Sequence, residues 1–386
     1  MQLSIYNIQS DSSGDFVTQL QSCFNQIDIN SANNQSNQLI VKIMIFTLCI
    51  DNEDYLQKMK VLNETLAQSN ELMAPVSLVC QPPGDGKTIM EIWSLSEVET
   101  TSTFTFTQDK QSAVLHIDGP EFSFLFLTQY SADQETFKEN TQETFRLFDA
   151  SLHANGFDYH DIVRQWNYIE NIIHVEEGND KPLQNYQIFN DLRSLYYGKS
   201  DFRNGYPSAT GIGTTCGGCT IEAIAFKEKN RNSITPVTNS YQVDAHSYSS
   251  DVLIGNAIEE IKRVSTPKFE RGKYLQFGEE GFLFISGTAS IIGEQTVHAE
   301  DVSKQTLTTI KNIDHLVSKE NLDNNNISVT SHPRLLNYRV YLKNESDYSI
   351  VKSLCDKHYG VDKGFIVKAD ICRSNLLVEI EANYLV

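Results

Sequence analysis

Apolar residues fall at every second position in some runs of the chain and three or four apart in others, and the two patterns succeed one another in a repeating order. In the last third, 274–287 reads as a strand, 301–317 as a helix with Leu307, Ile310, Ile313 and Val317 on one face, and 335–342 as a strand. A second helix covers about 347–358, and two strands, 365–372 and 376–384, close the unit across the turn Arg373-Ser-Asn375. The middle third repeats this as strand 122–127, helix 133–154, strand 161–169, helix 183–197, and strands 209–215 and 219–226 around Gly217 and Gly218. The first third is a shorter version. Strand 3–8 precedes a helix carrying Phe16, Leu20, Phe24 and Ile27, then come strand 39–50, helix 51–69, and strands 76–80 and 88–95 joined by Pro82-Pro-Gly-Asp-Gly86.

Each unit is thus ordered β-α-β-α-β-β, which predicts an α+β fold with helices on one face of a mixed sheet. The implied domains are a divergent unit at 1–110, a second at 111–235 and a third at 236–386. Linkers are expected near 97–112, where Thr and Ser dominate, and near 227–237, where Lys-Glu-Lys-Asn-Arg-Asn makes a polar break. Three like units on one chain predict functional clefts between neighbours.

Composition narrows the function. Fifty acidic residues against 31 basic ones, in 386, give a formal charge of -19, which repels nucleic acid and anionic membranes and requires local cations for any anionic substrate. The start, Met1-Gln-Leu-Ser-Ile-Tyr, lacks a signal peptide's basic and apolar regions, and the most apolar run, 39–50, is too short to span a bilayer and contains Lys42. A cytoplasmic enzyme or binding protein is expected. The seven cysteines read as free thiols. Cys216-Gly-Gly-Cys219 has the spacing of a redox or zinc pair, but an alternating strand follows it, which favours a Gly-Gly turn. His160, His174, His246 and His298 show no metal-ligand spacing, and no phosphate loop, dinucleotide fingerprint or nucleophile elbow is present, so neither metal nor cofactor is expected.

The third unit contains Phe284-Ile-Ser-Gly-Thr-Ala-Ser290, His298-Ala-Glu-Asp301, Gln305, Asn312 and Leu377-Val-Glu-Ile-Glu-Ala382. It resembles the RidA/YjgF superfamily, whose small homotrimers carry intersubunit sites, so the three RidA-like units would form a pseudo-trimer in one polypeptide, expected to be a monomer. In the middle unit, Arg164-Gln-Trp-Asn-Tyr-Ile169, Tyr186-Gln-Ile-Phe-Asn-Asp-Leu-Arg193 and Tyr206-Pro-Ser-Ala-Thr-Gly-Ile-Gly213, together with Asp370-Ile-Cys-Arg-Ser-Asn-Leu-Leu-Val-Glu379, are similar to the chorismatases. That family removes pyruvate from chorismate. The resemblance covers about residue 122 to the C-terminus, and residues before 110 match only by pattern. The arginine that imine-hydrolysing members carry two residues after the proline opening the penultimate strand is missing here, because Ser208 and Ala209 follow Pro207.

The resemblance implies a site. Chorismate carries two carboxylates, which the planar fork of arginine suits. Arg164, Arg193, Arg339 and Arg373 lie in or beside the matched blocks, and Arg339 is expected as a substrate anchor. Glu379 aligns with the family's functional glutamate, as the acid that protonates the enol ether at its methylene carbon; the middle unit has Thr220 at that place and the first has Glu91. Glu379 and Glu381 share a strand face, so parity does not choose between them. Tyr206, Ala209, Thr210 and Gly211 would form one wall, with amides at 211 and 213 holding the pyruvyl carboxylate, and Ser286, Gly287, Thr288 and Ala289 the other. Cys372 stands where chorismatases separate product types and points to 3-hydroxybenzoate, while Ala289 leaves open hydrolysis to 3,4-dihydroxycyclohexa-1,5-diene carboxylate. A non-catalytic RidA-like small-acid binder is the other reading. An RNA-cleaving member is disfavoured by the charge and by the lack of a basic stripe.

Overall fold

The structure is a computed structural model and describes residues 2–33, 38–68, 72–98, 100–176, 182–229, 233–277, 280–329 and 331–386. The first unit comprises β1 (Gln2–Gln9), α1 (Phe16–Asn33), β2 (Leu39–Phe46), α2 (Asn52–Gln68), β3 (Val76–Val79) and β4 (Ile89–Ser96). The hairpin β5 (Thr103–Gln108) and β6 (Ser112–Asp118) leads into β7 (Phe122–Ser131), α3 (Phe137–Ala154), β8 (Ile162–Glu170), α4 (Asn185–Tyr197), β9 (Ser208–Thr214) and β10 (Cys219–Glu228). After β11 (Ile234–Val237) and a long segment with only single 3-10 turns come β12 (Gly272–Phe277), β13 (Glu280–Ala289), the small β14 (Ile291–Ile292) and β15 (Gln295–Thr296), α5 (Val302–Val317), α6 (Lys319–Asn324), β16 (Arg334–Leu342), α7 (Tyr348–Tyr359), β17 (Gly364–Lys368) and β18 (Val378–Leu385).

The three large sheets repeat one topology. Their orders are β1-β4-β2-β3, then β7-β10-β8-β9 extended by β6 and β5, then β13-β18-β16-β17 extended by β12 and β11. In each, the last strand lies antiparallel between the first and second, and the third pairs parallel with the second. The fold is therefore α+β. Two expectations change. The supposed linker at 97–112 is mostly the β5–β6 hairpin, because its Thr and Phe residues alternate and β-branched threonine suits an edge strand. The strand expected over 274–287 is two antiparallel strands, β12 and β13, each adding to the sheet.

Helices cover one face of each sheet, as in the cluster of Leu20, Tyr55, Leu62, Ile43 and Ile92 in the first unit. The opposite faces of all three sheets meet in a common core, where Trp93 of β4 packs 5.5 Å from Trp166 of β8 and 6.3 Å from Phe284 of β13, measured between ring centroids. This shared burial holds the three sheets together, each buried aromatic contributing about 2 kcal/mol or more.

Strand register fixes which residues are counterparts. Glu91 of β4 lies opposite Met44, Glu222 of β10 opposite Trp166, and Glu381 of β18 opposite Arg339. Each glutamate meets a cation from another sheet: Arg339 donates to Glu91 at 2.7 Å, Lys42 pairs with Glu222, and Arg164 donates to Glu381 at 2.8 Å. The pairs are buried, so each charge depends on its partner. Two residues back along the same strands, Ile89, Thr220 and Glu379 face Phe46, Tyr168 and Tyr341. Register thus makes Ile89, not Glu91, the counterpart of Glu379.

Candidate active site

A cavity opens between the second and third sheets. Its walls are Tyr186 and Arg193 of α4, Ala209 and Gly211 of β9, Gly287 and Ala289 of β13, Glu379 of β18, Cys372 and Arg373 from the turn before it, and Tyr248, Leu253, Phe269 and Arg271 from the segment between β11 and β12.

Glu379 is 5% exposed and lies against Gly287, where a Cβ would collide with its carboxylate. Burial first, and the negative charge of Glu381 second, push its pKa up to about 8, with Arg164 and Arg271 pulling the other way. At neutral pH it is therefore mostly a protonated acid. Its neighbour is different. Burial would raise Glu381 too, but Arg339 and Arg164, with hydrogen bonds from Thr210 and Trp166, outweigh it and hold the group below its ordinary value. Glu381 accepts from Thr210 at 2.6 Å, Arg164 at 2.8 Å, and Trp166 and Tyr341 at 2.9 Å each. Sharing a strand face left the two carboxyls equivalent in sequence; in space one is saturated with donors and the other faces a cavity.

Three guanidinium groups reach that cavity. Arg193 is 2% exposed, lies over Phe189 and Tyr197, and donates from Nη2 to Asn190 at 2.7 Å, while its Nε has no partner. Arg271 donates from Nη2 to the Val243 carbonyl at 2.5 Å and the Tyr248 hydroxyl at 2.7 Å, and its Nε is likewise unpartnered. Arg373 donates to the Glu294 carbonyl at 2.8 Å. Buried cations with spare donors and no salt bridge among the described residues can receive a multiply charged anion. Cys372 has its thiol pushed up to about 12 by burial and by Glu379, so it is a neutral wall.

The structure brings together Glu379, Cys372, Arg193, Arg373, Ala209, Gly211, Gly287 and Ala289 of the residues singled out by sequence. It separates the others from the cavity. Arg339, expected as an anchor, is fully buried, donates to Glu91, to Tyr168 at 3.0 Å and to Tyr341 at 2.9 Å, and stacks over Phe46 in the common core. Arg164 is bound to Glu381 and to Thr210 at 2.7 Å, so neither Arg164 nor Thr210 lines the cavity, and Arg164 acts on Glu379 through its charge. Thr288 donates to the Ser286 carbonyl at 2.8 Å, on the other side of β13 from Gly287 and Ala289. Tyr206 stacks on Tyr197 and Phe202 beside Arg193 and does not line the cavity. The Gly213 amide is also spoken for, donating to the Asp370 carbonyl at 2.8 Å, and Ser286 accepts from Ala209 and donates to Glu270.

Arg271, Tyr248 and Phe269 escaped the sequence reading because 238–271 has no hydrophobic period. The one signal was an aromatic and an arginine, Phe269-Glu-Arg271, directly before a strand. Glu270 anchors that point by accepting from the Tyr206 amide at 2.9 Å.

The family model described as "Chorismatase FkbO/Hyg5-like, N-terminal" matches residues 97–225. A 3-hydroxybenzoate synthase of Streptomyces hygroscopicus is 30% identical over 234 residues, 58% of this chain and 64% of the relative, so the match spans just under two thirds of that protein. A chorismatase of the same organism is 30% identical over 254 residues, 62% of this chain and 69% of the relative. A chorismatase crystal structure shares the fold over 100% of this chain and 99% of its own, with a TM-score of 0.71 at 19% identity. By this likeness the chain belongs to the chorismatase family.

Proposed function

We propose that the protein removes pyruvate from chorismate without a cofactor and releases 3-hydroxybenzoate. The observation that carries this reading is a buried carboxyl, Glu379, kept protonated near neutrality inside a cavity that also presents Arg193, Arg271 and Arg373. The arginines hold the two carboxylates. Glu379 gives its proton to the methylene carbon of the enolpyruvyl ether, which turns the ether into an oxocarbenium ion and makes pyruvate the leaving fragment. The substrate's own 4-hydroxyl, giving up its proton, attacks C3 as the C3–O bond to pyruvate breaks; the resulting 3,4-epoxide opens at C4, loses the C3 proton and aromatises, so the atoms of chorismate divide between pyruvate and 3-hydroxybenzoate with none added. The hydrolytic alternative consumes one water. Cys372, Phe269 and Leu253 around the acid favour the route that excludes water.

We read the three sheets as three copies of one unit, 1–110, 111–235 and 236–386, arranged as a pseudo-trimer within a monomer, because their strand orders coincide. Among the described residues no helix is long and apolar enough to cross a membrane, and the net charge disfavours nucleic acid.

The test is incubation with chorismate, coupled detection of pyruvate and chromatography of the aromatic product, for the wild type and Glu379→Gln. Pyruvate with an equal amount of 3-hydroxybenzoate is expected, and is abolished in the variant while a chorismate analogue still binds. The dihydrodiol in place of 3-hydroxybenzoate would move the assignment to the hydrolytic branch. Binding without turnover in the wild type would leave a small-acid binding protein.

A further inference from the structure

The Cys216-Gly-Gly-Cys219 motif does not act as a pair. The Cys219 sulfur is turned towards Thr141 and Thr144 of α3. Cys216 faces the other way, across the boundary with the first unit, where Cys49 and Cys80 follow the ends of the parallel strands β2 and β3. The three sulfurs lie within 4.8 Å of one another, and each residue is 2% exposed.

The surrounding chain holds this arrangement in place. Gly217 and Gly218 both have positive φ, 97° and 60°, and a Cβ at Gly218 would run into the Ser131 carbonyl, so the turn that presents Cys216 needs glycine. Asn52 accepts from the Gly217 amide at 2.7 Å and Glu170 from the Gly218 amide at 2.7 Å. Lys58 donates to the Leu48 carbonyl at 2.8 Å, next to Cys49, and to Asp54 at 2.6 Å, which fixes the end of this loop. A tetrahedral or trigonal ion bound at about 2.3 Å from each sulfur needs the sulfurs about 3.8 Å apart, so the trio has to close by less than about 1 Å.

We propose that Cys49, Cys80 and Cys216 form a trithiolate site that takes one thiophilic d10 metal ion, zinc(II) or copper(I), and so ties the first unit to the second. Among the described residues no histidine or carboxylate completes the set, and an all-sulfur site selects soft ions over magnesium or calcium. Binding replaces the thiol protons with the ion, which joins residues 167 positions apart at the widest, from Cys49 to Cys216. The site is separate from the cavity around Glu379, and the inference does not depend on the chorismate reading.

The full chain, reduced and chelator-stripped, is titrated without oxygen with cadmium(II) as a probe of zinc binding and, in a separate arm, with copper(I). One equivalent per chain, a thiolate-to-metal charge-transfer band and a higher melting midpoint are expected in at least one arm, and the responding arm identifies the ion. Cys216→Ser and Cys80→Ser are expected to lose the band and the rise in midpoint, with a wild-type circular dichroism spectrum, while Cys219→Ser keeps both. Absence of stoichiometric uptake in both arms by the folded wild type would overturn the proposal. So would a band that persists in folded Cys216→Ser. If either serine variant fails to fold, mass spectrometry of the intact wild type under native conditions decides the matter: one bound ion per chain supports the site, and a bare chain overturns it.

Discussion

Two boundaries in this molecule are built from the same strands and have opposite contents. Between the second and third sheets, Glu379 faces a cavity that Arg193 and Arg271 enter. Between the first and second, the counterpart of Glu379 is Thr220, and Tyr55 of α2 is buried against it, its hydroxyl bonded to the threonine and its ring 6.4 Å from Tyr130. The third boundary carries Ile89 at that place, and the Pro82–Gly86 turn, which bridges Pro83 to Val367 and packs Gly84 on Tyr348, lines a pocket there together with Asp356 and Asp362. The scaffold therefore supplies three equivalent positions, and side chains make one of them the candidate active site. Elsewhere a tyrosine takes the volume that a substrate would need, or three aspartates against one lysine line the space and disfavour a dianion.

The contrast can be broken most severely at the acid itself. Glu379→Gln is expected to lower turnover by about 10²- to 10⁴-fold, whereas Thr220→Val at the counterpart leaves pyruvate release within about twofold; equal losses in a coupled assay would mean that the two boundaries are not distinct in function. Next comes the charge behind the acid. Arg339→Met strands Glu91 in the core and is expected to cost about 3–5 kcal/mol in denaturant unfolding, and an unchanged midpoint would show that the buried pair is dispensable.

Arg271→Gln sharpens the contrast from the substrate side. Loss of a cavity cation should raise KM by about 10- to 100-fold, in line with a lost charged hydrogen bond of about 1.5–3 kcal/mol, with the fold intact; a change confined to kcat would place the residue in the chemical step instead. The pH profile follows from Glu379. Its native pKa of about 8 lies above the ordinary carboxylate value, so turnover should fall about tenfold per unit above pH 8 as the acid loses its proton. The sign for stability is the same: the native state holds this proton more tightly than the unfolded chain, so the group's contribution is complete below the ordinary value and declines as pH rises towards 8. A rate that stays flat to pH 10 would exclude Glu379 as the donor. The smallest effect is expected at the filled boundary, where Tyr55→Phe removes one hydrogen bond, costs about 1 kcal/mol of stability and leaves activity unchanged.

Sequence pattern revealed most of the architecture because the helices have one apolar stripe and the strands alternate, as in α5 and β18. It misread 97–112 because serine and threonine mark loops by composition yet also suit an exposed edge hairpin. Glu379 was singled out by the family resemblance of its motif, since strand parity alone left it level with Glu381. The place of Arg339 was not legible, since parity shows which face a side chain takes and is silent about a partner 248 residues away. Arg271 was invisible for a related reason: its segment acquires meaning only by folding over a cleft made by other strands.

The buried ion pairs run in one sense around the core, from the first sheet to the second, the second to the third, and the third back to the first. Such a closed circuit distinguishes clockwise from anticlockwise assembly, because reversing the order of the sheets would put every cation beside the wrong carboxylate. Joined in a single polypeptide, each link of the circuit is encoded separately, so evolution was free to vary one docking surface at a time, a freedom that identical subunits lack.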